Sequence, residues 1–168
     1  KAKEIEGELK YAVRRQEETI YHRQLKMTSP ALNRFRDLVL YNLEAGQAVL
    51  TDNNDIRIYT DGKEKFHALI EEMKRAKKYI HVQYYIIRND EVWQDIEKVL
   101  IEKAHEGVEV RVLFDSMGCR GMKNSDWDRL EKAGIQVAEF FPAVLGKLQL
   151  RVNYRNHRKI VVIDGRIG

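Results

Sequence analysis

His157, Lys159 and Asp164 stand in the spacing His-x-Lys-x4-Asp inside the run Asn153-Tyr-Arg-Asn-His-Arg-Lys-Ile-Val-Val-Ile-Asp-Gly. If residues 157–163 form a strand, His157 and Lys159 project from one face, because side chains alternate with period two, and an imidazole and an ammonium share one pocket. That pair suits attack on a phosphodiester. A neutral imidazole nitrogen attacks phosphorus to give a covalent phosphohistidine, and the ammonium places fixed positive charge on the non-bridging oxygens as negative charge builds. Asp164 has the opposite parity and opens an Asp-Gly turn, so its expected part in this triplet is to fix backbone or orient its neighbours. The bare spacing also fits a surface or hydrogen-bonded structural histidine. Its setting favours chemistry: residues 160–163 read as a buried apolar strand, with Arg151, Arg155, Arg158 and Lys159 clustered at its entrance. A solvated basic edge is the other reading of the arginines.

The elements that must position these residues follow from periodicity. Residues 1–27 are dense in Lys, Arg, Glu and Gln, with Ile5, Leu9, Ala12 and Val13 at helical spacing, and read as a charged helix. A break at residues 28–30 precedes a short helix over 31–43 that ends near Gly46. From there strands and helices alternate. Ile56, Ile58 and Tyr59 suggest a short strand. Residues 63–77, 92–105 and 125–132 suggest helices, and residues 79–87, 108–114 and 135–141 suggest strands rich in β-branched and aromatic residues. Residues 148–154 are placed to pair with 157–163. This order predicts an α/β fold with a largely parallel sheet and mixed pairing near the end, preceded by the charged helix.

Composition bounds the partners. Thirty Lys and Arg against 26 Asp and Glu leave a net charge of +4, compatible with nucleic acid, phospholipid head groups or phosphorylated metabolites. The single cysteine, Cys119, forms no internal disulfide, and no Cys/His cluster has the spacing of a zinc site, so neither metal nor cofactor is expected. No run approaches the roughly 18–20 apolar residues that cross a bilayer.

The string Arg155-Asn-His-Arg-Lys-Ile-Val-Val-Ile-Asp-Gly resembles the first His-Lys-Asp signature of bacterial cardiolipin synthases, in the phospholipase D superfamily. Ala76-Lys-Lys-Tyr-Ile-His-Val-Gln-Tyr-Tyr-Ile-Ile and Lys103-Ala-His-Glu-Gly-Val-Glu-Val-Arg-Val-Leu-Phe-Asp resemble the family's second and third core strands with their preceding helices. The resemblance divides the chain into a charged helical segment over 1–49 and a first phospholipase D-like catalytic domain over 50–168, truncated at its C-terminal end. It implies a metal-independent, two-step transfer in which a histidine takes a phosphatidyl group from phosphatidylglycerol and passes it to a second phosphatidylglycerol, giving cardiolipin and glycerol. His157 then serves as nucleophile and Lys159 as phosphate ligand, although the residues themselves fit His157 equally to the general-acid role.

The family carries two such signatures in one polypeptide. The second is absent from these residues, so this segment is expected to be inactive alone, with the other catalytic half in the same polypeptide. Family members also carry N-terminal membrane helices, which implies a cell-membrane location through segments outside this chain and contact with an anionic membrane surface. Nucleic acid is not expected as a partner. Arg155, Asn156, Gln83 and Tyr85 are the expected substrate-binding residues; the last two share a strand face with His81, which either lines the pocket behind His157 or packs in the core with its hydrogen bonds satisfied. Asp115-Ser116 reads as a ligand-binding strand end or a plain helix-entry loop. Trp93, Trp127, Phe140 and Phe141 read as packing residues, the last two alternatively as a lipid-facing lip. Two other readings fit the same residues: a phosphodiesterase acting on nucleic acid or phospholipid, and a non-catalytic module that binds anionic lipid.

Overall fold

The computed structural model describes residues 2–21, 34–51, 53–140 and 157–168. The chain divides into two compact units, Lys1–Ile58 and Tyr59–Gly168.

In the first unit, helix α1 (Ala2–Tyr21) and helix α2 (Arg36–Gly46) enclose a small core of Val13, Ile20 and Leu43, with Val39, Leu40 and Val49 packed against it. The Gln16 amide binds the backbone of Leu50 from both sides, donating to its carbonyl at 2.8 Å and accepting its N–H at 2.7 Å. Helix α2 ends at Gly46, yet the left-handed residue that closes it is Gln47, at φ 49°. The strand expected at residues 56–59 does not form: Ile56 and Ile58 are 79% and 84% exposed. β-branched residues supply propensity, but a strand also needs a ladder partner. The place beside the first strand of the sheet is taken by the last strand instead.

The second unit begins with helix α3 (Gly62–Lys74), capped by Asp61, whose carboxylate accepts the N–H groups of Lys63 and Glu64 at 2.8 and 3.0 Å. Strand β1 (Tyr79–Tyr84), helix α4 (Glu91–His105), strand β2 (Glu109–Asp115), helix α5 (Asn124–Lys132), strand β3 (Gln136–Phe140) and strand β4 (Lys159–Ile163) follow. Asp90 caps α4 through the N–H of Trp93 at 2.9 Å. The sheet order is β3-β2-β1-β4, with β1, β2 and β3 parallel and β4 antiparallel to β1. This is the mixed, largely parallel α/β sheet that the alternation predicts. Residues 148–154, expected to pair with β4, lie outside the described residues.

Alternation along the strands divides the sheet faces. Ile80, Val82, Val110, Val112 and Ile163 enter the main core with Met73, Trp93, Ile96, Leu100 and Leu130 from the helices. Each such side chain contributes roughly 1.5–3 kcal/mol by leaving water. Trp127 stacks on Phe114 with centroids 3.9 Å apart, and an Arg129–Glu97 ion pair at 2.7 Å ties α5 to α4. On the opposite face His81, Gln83, Arg111, Leu113, Ile160 and Val162 line a shallow depression of about 490 Å³. Strand β4 is less buried than its composition suggests. Ile160 is exposed and only Ile163 is fully enclosed; among the described residues the strand is the last of the sheet.

Candidate active site

The site is built where the end of β1 meets the start of β4. Tyr84 is the register partner of Lys159, and the Tyr85 N–H donates to the Arg158 carbonyl at 3.1 Å, which carries the pairing one step past the strand ends. His157 therefore sits beside Tyr85, and its ring centroid lies 4.2 Å from that of Tyr85 at an interplanar angle of 55°. The expected strand 157–163 is shortened to Lys159–Ile163, so period-two alternation does not extend to His157. The nearness of the two residues is recorded directly instead: the Lys159 ammonium donates to the His157 carbonyl at 3.4 Å. Both side chains are exposed and neither is enclosed in hydrocarbon.

Asp164 lies at the other end of β4, about 20 Å of extended chain from His157. Its carboxylate accepts three backbone N–H groups, from Lys77 and Lys78 at 2.8 Å each and from Tyr79 at 2.9 Å. Its own N–H donates to the Tyr79 carbonyl at 3.0 Å. The group fastens the β4 turn to the entrance of β1 and so sets the register that brings Lys159 opposite Tyr84. Asp164 and Gly165 both have positive φ, 53° and 68°, and a Cβ on Gly165 would meet the Tyr79 hydroxyl at 2.8 Å, which accounts for glycine there.

The hydrogen bonds from Tyr79 and Lys77, with that from Lys78, hold the Asp164 carboxyl below its ordinary value. A carboxyl depressed in the folded state stabilises the fold above its unfolded value, and that contribution is lost as pH falls through the folded value. Asp164→Asn is therefore expected to lower the urea midpoint at pH 7. The gap to wild type should close as pH falls below about 4, the ordinary aspartate value. A gap that stays constant down to acid pH would contradict this.

The other expected residues divide. Tyr85 contacts His157, and Gln83 lines the open-face depression opposite Ile160. Arg155 and Asn156 lie outside the described residues, as does Phe141. His81 is engaged elsewhere, 3.0 Å from Glu109 and stacked on Tyr79. Buried Asp115 accepts the N–H groups of Met117 and Gly118 at 2.9 and 3.3 Å, a turn-forming arrangement. Burial pushes the Cys119 thiol up to about 11, so it remains protonated near neutral pH and is no rival nucleophile. Among the described residues no group of His, Cys, Asp and Glu could hold a metal ion, and no helix is long and apolar enough to cross a membrane.

Sequence reasoning missed Lys65. Its ammonium lies 3.4 Å from the Tyr84 hydroxyl and 4.2 Å from the Phe66 ring centroid, which brings a second cation to the β1 residue that pairs with Lys159. Lys65 is one of several lysines on a charged helix, and nothing in its spacing marks it.

The mixed sheet, with an exposed imidazole and ammonium at one end and an aspartate fastening the other, belongs to a phospholipase D-like domain. A family profile described as cardiolipin synthase, PLD-like domain, matches residues 69–168, and the chain belongs to that family. It is 45% identical over 160 residues to a cardiolipin synthase of Oceanobacillus iheyensis, covering 95% of this chain and 33% of that protein. It is 40% identical over 156 residues to the major cardiolipin synthase ClsA of Bacillus subtilis, covering 93% of this chain and 32% of the relative. A cardiolipin synthase of Staphylococcus aureus is 47% identical over 135 residues, 80% of this chain and 27% of the relative. The chain thus spans about a third or less of the length of these curated relatives.

Proposed function

We propose that this chain carries the nucleophilic half of a phosphatidyltransferase that makes cardiolipin from two molecules of phosphatidylglycerol. An imidazole nitrogen of His157 attacks phosphorus, an N–P bond forms, and the bond to the glycerol oxygen breaks, with a proton delivered to that oxygen. The hydroxyl of a second phosphatidylglycerol then attacks the same phosphorus, gives up its proton, and breaks the N–P bond. Cardiolipin and glycerol are the products, and His157 is restored. Lys159 bears on the non-bridging oxygens in both steps.

Proton transfer to the leaving oxygen needs a second group near its working protonation state. We assign it to a matching histidine in the remainder of the polypeptide, so the segment alone should be inactive. Arg155 and Asn156, next to His157, are assigned to the phosphate. Attachment to the anionic bilayer is assigned to segments outside this chain.

The observation that carries this reading is the exposed His157 imidazole, with the Lys159 ammonium folded back onto the His157 carbonyl, in a chain of this family. The test is incubation of the complete polypeptide with phosphatidylglycerol vesicles and, separately, with DNA. Cardiolipin and glycerol in equal amounts are expected from the vesicles. Cleavage of DNA without cardiolipin formation would replace the transferase by a nuclease of the same superfamily, and lipid binding without turnover would leave only a docking module.

A further inference from the structure

Two segments remote in sequence converge on Tyr85. On one side, the backbone of Gly118 packs so closely that a Cβ there would lie 1.9 Å from the Tyr85 carbonyl oxygen and 3.1 Å from its ring Cδ2. The next residue, buried Cys119, accepts the Ile87 N–H on Sγ at 3.1 Å and directs its thiol to the Tyr85 carbonyl at 3.6 Å. This loop is itself anchored to the end of β2: the Cys119 N–H donates to the Asp115 carbonyl at 3.1 Å, and the Asp115 carboxylate accepts from Met117 and Gly118. On the other side, the Tyr85 N–H donates to the Arg158 carbonyl, and the Tyr85 ring lies against the His157 ring.

We propose that Tyr85 is a positioning residue for His157, its ring set by the Gly118–Cys119 loop and holding the imidazole in the orientation that attacks phosphorus. The inference rests on the reading of His157 as nucleophile given above. It moves Tyr85 from the substrate contact that its strand face suggests to a role played through the ring rather than the hydroxyl. His157 precedes the regular ladder of β4, so backbone pairing alone does not fix its side-chain torsions. Among the described residues, the Tyr85 ring is the aromatic surface against the imidazole. A misplacement of about 1 Å at a reacting group can cost on the order of 100-fold in rate, so such a surface has a large effect available to it.

The test compares Tyr85→Phe, Tyr85→Leu, Gly118→Ala and His157→Ala in the complete polypeptide on phosphatidylglycerol vesicles, with folding checked by circular dichroism. Tyr85→Phe keeps the ring and should stay within about threefold of wild type, whereas Tyr85→Leu should lower kcat by about 100-fold with KM changed by less than about threefold. Gly118→Ala should fall in the same direction, because the new methyl must displace the Tyr85 carbonyl. If that variant does not fold, the Phe and Leu pair decides the matter unaided. Equal damage from Phe and Leu would mark a hydroxyl contact to substrate and overturn the inference. So would a rise in KM at constant kcat, or wild-type rates in Tyr85→Leu while His157→Ala is inactive. Wild-type rates in His157→Ala would instead overturn the proposed function itself.

Discussion

His157→Ala in the complete polypeptide is expected to reduce cardiolipin formation by about four orders of magnitude or more, the scale on which loss of a covalent nucleophile is felt. The substitution removes the imidazole on which the phosphohistidine is proposed to form, so both half-reactions are lost together. The fold should survive. The side chain is exposed, and the contact it makes is a ring surface against Tyr85 rather than a place in the core. The circular dichroism spectrum and urea midpoint should therefore match wild type, and binding to anionic vesicles should be unchanged. An inactive variant that still binds separates the transferase from a lipid-docking module, which would lose nothing.

Lys159→Met should lower kcat by about 10²- to 10³-fold, the range seen when one preorganised charge-stabilising donor is removed. The effect belongs mainly in kcat, because negative charge on the phosphoryl oxygens grows toward the transition state and the ammonium acts most strongly there. Lys159 is the first residue of β4 and is held opposite Tyr84 by the ladder, so its backbone cannot drift to compensate for a shorter or neutral side chain. Lys159→Arg keeps the charge on a differently shaped head and should recover part of the loss. A Lys159→Met variant with unchanged kcat and raised KM would show that the residue only gathers substrate.

Much of this architecture is legible from local pattern. Apolar residues alternate along β1 at Ile80 and Val82 and along β2 at Val110, Val112 and Phe114, and Asp61 and Asp90 stand where a carboxylate caps the next helix. The His-x-Lys spacing is equally visible, because it needs no knowledge of what lies across the sheet. The failures share one cause. The triplet Ile56, Ile58 and Tyr59 has strand chemistry but, among the described residues, no partner strand, and partnership is a property of the whole sheet. Parity places His157 on the face of Lys159, but the ladder starts at Lys159, since strand ends depend on where the neighbour stops.

Distance along the chain concealed the rest. Asp164 gathers N–H groups from residues 77–79, and Gly118 presses on Tyr85, across separations that no local pattern records. Asp164 illustrates the difference between a motif and a site. It lies in one short string with His157 and Lys159, yet its carboxylate fastens backbone at the far end of β4.

The most direct measurement is capture of the covalent intermediate. The complete polypeptide would be mixed with phosphatidylglycerol, quenched within one turnover under conditions that preserve N–P bonds, digested, and analysed by mass spectrometry. The account predicts a phosphatidyl adduct on the peptide containing His157, absent from His157→Ala and accumulating when acceptor is scarce. An adduct on a different residue, with His157 unmodified while cardiolipin is being made, would contradict it.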